Sequence, residues 1–434
     1  MKTASQTHSI SISDKEAAIL KTIDDQQGSM VKTLLAWSSQ NSGSHNRDGL
    51  IAMRALLMDA AKVLPGRCTE LPLAPGEYVT AAGVKEVVHY EPAVHISVRP
   101  DAPIKLVLTG HYDTVFPRNF HFQNPTYLDD DTVNGPGVAD MKGGILVMLH
   151  ALQALEQSPQ ADNIGYDILL SPDEEIGSPG SAPELMRLGK AAHVGLTFEP
   201  ALADGSMAGA RKGSGNFALI IKGRAAHAGR EHHLGRNAIA AMARFITRLD
   251  DLNGTRPDVT FNIAKVDGGG ASNIVPELAI GRFNVRVKND GDDAWVIEQI
   301  TKLTAQINAM DGITAEMTGG FTRPPKPMSP ANAQVFDWVK QAGDLLGQNI
   351  RWAPSGGVCE GNNLWAAGCP NVDTLGVRGG EIHSDREFVK LSSLTERTKL
   401  AALIMMKLAS GEFDAHSVKA LATQNLKDAA KGHG

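Results

Sequence analysis

Three short apolar runs each end in side chains able to do chemistry. They are KLVLTGHYD at 105–113, YDILLSPDEE at 166–175 and VGLTFEP at 194–200. Their length and continuity read as buried strands. Between the first two lies MKGGILVMLHALQALEQ, 141–157, which is apolar all round and predicts a buried helix. Strand, helix and strand with polar residues at the strand ends predict an open α/β sheet. Such sheets collect ligands at the carboxyl ends of their strands.

Other segments fill in the organisation. Residues 1–12 read as a loose tail, and Ser13 with Glu16 has capping-box spacing, so a helix starts there. GLIAMRALLMDAAKV, 49–63, has helical periodicity. The pattern changes near residue 212. GNFALIIKGRAAHAG (215–229) and ELAIGRFNVRVKND (277–290) alternate with period two, and helices are predicted at 237–252 and 292–310. These features predict an inserted α+β unit over 212–321, interrupting an α/β unit made of 1–211 and 322–434. The larger unit is expected to hold a central mixed, mostly parallel sheet flanked by helices, and the smaller one to be ferredoxin-like. A helix at 392–410 closes the larger unit, and a polar helical tail follows.

Composition excludes several classes. With 42 Lys+Arg against 48 Asp+Glu the net charge is −6, so nothing favours nucleic acid or an anionic membrane. Cys68, Cys359 and Cys369 are too few and scattered for a disulfide framework or a thiolate zinc site. The N-terminus lacks a secretory apolar core. No stretch reaches the about 18 apolar residues of a membrane helix. A cytoplasmic protein is expected.

Five loops carry metal-capable or acidic residues: His111 with Asp113, Asp140 in a glycine-rich bend, Asp173–Glu175, Glu199, and His383 in GGEIHSDREF. Each has a plain explanation alone: a surface histidine, a solvated acidic turn, a helix cap. Their joint occurrence where one sheet would gather them points to a zinc-like site. His111 and Asp113, two apart on an extended chain, share a face, so the carboxylate can orient the imidazole. Glu174, next to Glu175, is placed to be a base for a metal-activated water.

These motifs resemble the dinuclear zinc hydrolases that include glutamate carboxypeptidase, aminoacylase, acetylornithine deacetylase and succinyl-diaminopimelate desuccinylase. GHYDTVF, GPGVADMKGG, SPDEEIGS, FEP, GRAAHAG, SNIVPE and GGEIHSD occur in family order over about 14–410. The resemblance implies two zinc ions, with cobalt or manganese as substitutes. It implies His111 and His383 as terminal ligands, Asp140 as the bridge, Glu175 on one ion and Glu199 on the other. Asp113 would buttress His111, and Glu174 would be general base and acid. The family often holds the bond after the bridging Asp in cis, here Asp140–Met141. The inserted unit would serve as dimerisation and lid domain. His227 would reach a partner subunit's site, and Asn273 and Arg286 would hold the substrate carboxylate. Arg211 and Lys212, near the junction, could add positive charge. His232 and His233 read as surface residues.

One departure concerns SGGVCEGNN. Many glutamate carboxypeptidases carry a Gly-Gly-Thr-Asp type loop there, whereas this chain has Val358 and Cys359. Gly356 and Gly357 could still offer backbone N–H groups, but side-chain selectivity is open. No histidine motif pairs with Cys359 as a nucleophile. The implied activity is hydrolysis of the amide bond before a C-terminal residue with a free carboxylate, with glutamate favoured, in a homodimer acting on small peptides or N-acyl amino acids. The competitors are an N-acyl amino acid deacylase and a silent binding protein on the same scaffold. A nucleotide-binding reading fails because GPGVADMKGG matches neither GxGxxG nor GxxxxGK[ST].

Overall fold

The structure, a computed structural model, describes residues 10–289 and 291–431. Of the N-terminal tail expected at 1–12, residues 1–9 lie outside the described residues. In chain order the strands of the two principal sheets are β1 (Arg67–Leu71), β2 (Ala93–Val98), β3 (Ile104–His111), β4 (Ile164–Ser171), β5 (Val194–Thr197), β6 (Gly213–Lys222), β7 (Thr260–Gly268), β8 (Leu278–Val287), β9 (Thr314–Arg323) and β10 (Asn371–Val372).

The first sheet runs β1-β2-β4-β3-β5-β10. Its β3–β4, β3–β5 and β5–β10 pairs are parallel, and β1–β2 and β2–β4 are antiparallel. Register puts the chemistry on one edge. His111 lies opposite Ser171, just before Asp173–Glu175, and Thr109 lies opposite Thr197, just before Glu199. Helix Lys142–Glu156 is buried along nearly its whole length. A Cβ on Gly144 would stand 1.9 Å from the Phe198 carbonyl oxygen, so only glycine lets this helix approach the end of β5. Helix Ser393–Ser410 packs beside it and closes the main core. Helix Asp14–Thr22 begins with the expected capping box, the Ser13 hydroxyl accepting from Glu16 N–H and the Glu16 carboxylate accepting from Ser13 N–H.

The second sheet, β7-β8-β6-β9, is antiparallel throughout. Helices Ala238–Asp250 and Asp292–Asn308 cover one face in a ferredoxin-like βαββαβ order. It has its own hydrophobic cluster, with Phe217 and Phe283 stacked at 5.3 Å. β7 and β9 escaped the sequence pattern. β9 runs to Arg323, past the expected junction at 321, and that arginine enters the site.

Three smaller assemblies were also unforeseen, one of them the parallel pair Met207–Arg211 with Trp352–Ser355. A five-stranded sheet of strands only two or three residues long includes Thr132–Asn134, Arg378–Gly380 and Phe388–Lys390, and it frames the loop bearing His383. A hairpin, Gly76–Val79 with Lys85–Val88, packs against the second sheet. A terminal helix, Ala415–Lys431, matches the expected tail, although Val418 and Ala422 are buried. Among the described residues no helix is long and apolar enough to cross a membrane.

Candidate active site

His111 ends β3 and is buried. Its Nδ1 lies 3.1 Å from the Asp113 carbonyl oxygen and 3.4 Å from Asp113 Oδ1. Its Nε2 lies 3.0 Å from Asp140 Oδ1 and 3.8 Å from Glu199 Oε1. On the other side of Asp140, His383 Nε2 is 3.3 Å from Oδ2 and 3.2 Å from Glu175 Oε2. His111, Asp140 and Glu199 form one group able to hold an ion, and Asp140, Glu175 and His383 form a second. Asp140 belongs to both. The Asp140–Met141 bond is cis, as the resemblance implied.

The fit to cations is electrostatic as well as geometric. Asp140, Glu174, Glu175 and Glu199 crowd together, faced by two imidazoles and the Arg323 guanidinium. Burial pushes the Glu175 carboxyl up to about 8, with Asp140 adding to the rise. Burial pushes Glu174 up to about 7, against the pull of Arg323. The Asp140 and Glu175 carboxylates raise the His383 imidazole well above its ordinary range. Glu199 Oε1 is buried without a hydrogen-bond partner. Divalent cations would satisfy that orphan oxygen and offset the crowded negative charge.

Asp113 does more than the buttress the sequence suggested. Fully buried, it accepts from the backbone N–H groups of Glu174 and Glu175, both at 3.2 Å, and from Ser44 Oγ at 2.7 Å. It therefore ties the end of β3 to the acidic turn after β4. Asp173, the first acid of that turn, faces away from the ligand groups. It accepts from Gly180 and Ser181 N–H at 2.6 and 3.1 Å and folds the following loop.

A cleft of about 550 Å³ opens onto both ligand groups, and Arg211, Arg286, Arg323 and Gly357 line it. Arg211 Nε donates to Asp373 Oδ2 at 2.6 Å. Arg286 Nη1 is buried without a partner, and burial, then Arg323, lowers its pKa. The Gly357 N–H donates to Ser355 Oγ at 3.2 Å. The other expected substrate residues lie outside the cleft lining. Lys212 Nζ reaches the Asp258 carbonyl at 3.3 Å. His227 and Asn273 are exposed and adjacent: His227 bridges Ile274, and the Asn273 carbonyl accepts from Ala228 N–H at 2.8 Å. His232 and His233 are exposed.

Sequence reasoning missed three site residues. Arg323 Nη2 lies 2.8 Å from Glu174 Oε1 in an ion pair and donates to the Glu174 carbonyl and to Ser178 Oγ, both at 2.7 Å. The only sequence signal was a cation before the Pro-Pro of FTRPPKP. Glu387 is buried and accepts from Gly137, Ala139 and Asp140 N–H at 3.1, 2.9 and 3.0 Å, cradling the bend that presents Asp140. Asp373 gathers Arg211, Lys326 Nζ at 2.9 Å and Cys359 Sγ at 3.2 Å beneath the cleft. Burial pushes the Cys359 thiol well above its ordinary range, which makes it a poor nucleophile.

Comparison with known proteins identifies the family. The profile of peptidase family M20/M25/M40 matches residues 107–407. Carboxypeptidase G2 of Pseudomonas sp. (strain RS-16) is 27% identical over 405 residues, covering 92% of this chain and 94% of its own. A succinyl-diaminopimelate desuccinylase of Nitrosospira multiformis is 27% identical over 328 residues, covering 71% and 84%. Among solved structures, a tripeptidase from Staphylococcus aureus superposes with a TM-score of 0.69 at 23% identity, over 88% of this chain and 99% of that one. A metallo-carboxypeptidase from Sulfolobus solfataricus gives 0.69 at 16% identity over the same shares. The structural likenesses speak to the fold.

Proposed function

The chain belongs to peptidase family M20/M25/M40 and is a hydrolase, and from that premise we propose that it cleaves the amide bond before a C-terminal residue bearing a free α-carboxylate, with glutamate released. The observation that carries this reading is Asp140, shared by two ligand groups beside Glu174 in a cleft edged by arginines. His111, Asp140 and Glu199 would hold one zinc ion, and Asp140, Glu175 and His383 the other. When bound, such ions acidify water and polarise an amide carbonyl.

The chain's own residues supply the rest. Arg323 pairs with Glu174, whose carboxylate lines the cleft and takes the proton from water and returns it to the leaving amine. Arg211 and Arg286 present planar donor forks to the substrate carboxylate. Arg286, with a donor unspent, is the stronger anchor, because Arg211 is already engaged by Asp373. His227 and Asn273 are read as residues that a second copy of the chain brings to this cleft, in a homodimer built through the inserted 212–321 unit. A cytoplasmic setting completes the proposal.

The test is amino-acid release by zinc-loaded protein from N-acyl and dipeptide conjugates of glutamate, aspartate, ornithine, alanine and aromatic residues. Glutamate should be released, with a loss of at least ~100-fold in Glu174→Ala and Glu174→Gln. Similarity to the desuccinylase supports a second reading, an N-acyl amino acid deacylase. Release of a different amino acid with the same loss in both variants selects it. No release from any conjugate sinks both.

A further inference from the structure

The first turn of helix Ser393–Ser410 faces a cavity of about 610 Å³ that is separate from the catalytic cleft. Residues 204–206, residues 346–351 and Arg378 complete its walls. Its charged lining is uneven: Arg351, Arg378, Arg397 and Lys399 stand against Asp204 and Glu396. Asp204 is turned to its own loop, accepting from Ser206 N–H at 2.9 Å and Ser206 Oγ at 3.0 Å. Glu396 is shared, 3.2 Å from Arg378 Nη2 and 3.6 Å from Arg397 Nε. Lys399 has a neighbour in Asp24, at 2.5 Å. Glu396 thus pairs with two guanidiniums, and Asp204 adds a longer-range attraction on Arg397.

Arg397 is the decisive residue. Its side chain is 0% exposed. Nη2 donates to the Gly205 carbonyl at 2.8 Å, while Nε and Nη1 have no hydrogen-bond partner. Arg378 Nε is also buried without one. Gly205 has φ +86°, and a Cβ there would approach Arg397 Nη2 to 3.0 Å, so the turn closes tightly over the guanidinium. Burial lowers Arg397 only to about 10, leaving it charged near neutral pH. A buried, under-compensated charge is costly unless something pairs with it. The helix start adds positive potential, since Ser392 makes no side-chain cap there. The hydroxyls of Ser206 and Thr395 also line the space.

We propose that this cavity binds a small oxyanion, a phosphoryl or carboxylate group contacted by Arg378 and Lys399 above the buried charge of Arg397. Ser206 lines both this cavity and the catalytic cleft, so the two meet at one turn.

The test is calorimetric titration of the metal-loaded protein with inorganic phosphate and, separately, with succinate. Saturable binding at one equivalent per chain is expected, with a Kd of about 1 mM or tighter. The affinity should fall at least about tenfold in Arg397→Met and in Lys399→Glu. Binding of phosphate alone assigns the site to phosphoryl groups, and binding of succinate alone assigns it to dicarboxylates; either supports the proposal. No saturable binding of either anion overturns it. Unchanged affinity in both variants also overturns it, by assigning the anion to the metal cleft. Should Arg397→Met lose its cooperative melt, Lys399→Glu decides, because that side chain is 25% exposed.

Discussion

Glu387 belongs to neither candidate metal group, yet it holds three N–H groups of one loop, those of Gly137, Ala139 and Asp140. It is a positioning residue. A carboxylate offers two acceptor oxygens, whereas an amide would turn an N–H₂ toward a backbone donor. Glu387→Gln should therefore lower metal affinity about 10–100-fold, the range for partners that orient ligands. Zinc retention against a chelator reads this directly, and unchanged retention would refute the role. His383 was legible because histidine chemistry is local and its motif is specific. Glu387, four residues on, was not, because its function is to accept backbone groups from a bend some 250 positions away in the chain. Arg323 was hidden for a related reason: a strand-end arginine looks like any solvated cation until the fold buries it against Glu174.

At the scale of elements, the hairpin Gly76–Val79 with Lys85–Val88, which lies between β1 and β2 of the first sheet, packs on the second sheet. Val79 is buried with Ile220 and Ile280 on the face of the second sheet away from its helices. Arg282 Nη2 donates to the Val79 carbonyl at 2.7 Å and lies over the Tyr78 ring at 5.7 Å. Lys85 pairs with Glu316 at 2.5 Å. Magnitudes rank these contacts. Val79→Ala removes two buried methyl-sized groups, for about 1.6 kcal/mol. The exposed ion pair is worth under about 1 kcal/mol. Val79→Ala should thus speed hydrogen exchange in β6 and β8 and lower Tm more than Lys85→Ala does. Equal effects would mean that the ion pair, not the apolar contact, holds the strap. The sequence hid this element because GEYV and KEVV are short and mostly exposed, with no burial period to read.

For the whole molecule, the exposed bridge that carries His227 and Asn273 is the feature to test. If a second copy completes each site, Glu174→Ala and His227→Ala are each nearly inactive alone. An equal mixture, unfolded and refolded together, should regain roughly a quarter of wild-type activity, since half the dimers are mixed and each holds one intact site. No recovery would assign His227 to its own chain's site, and a fully active His227→Ala would deny it a catalytic role. Metal removal is a second global test. Both ligand groups come together only in the folded chain, so stripping bound metal should lower Tm by an amount that depends on free metal. A Tm independent of zinc, cobalt and manganese would refute the metal centre.

The sequence by itself determined the apolar strands, the buried helix after Asp140, the change to period-two alternation near 212, and the residues with ligand chemistry. These are set by local side-chain patterning and by residue type, both carried in a few adjacent positions. Only the tertiary structure decided that Asp140 lies between two ligand groups, that Arg323 pairs with Glu174, that Glu387 cradles the bend, and that Lys212 turns to Asp258 instead of the cleft. Each of these depends on burial and on contacts between distant segments. A charged side chain reveals its partner only when the sheet register and loop packing have brought the two within hydrogen-bond reach.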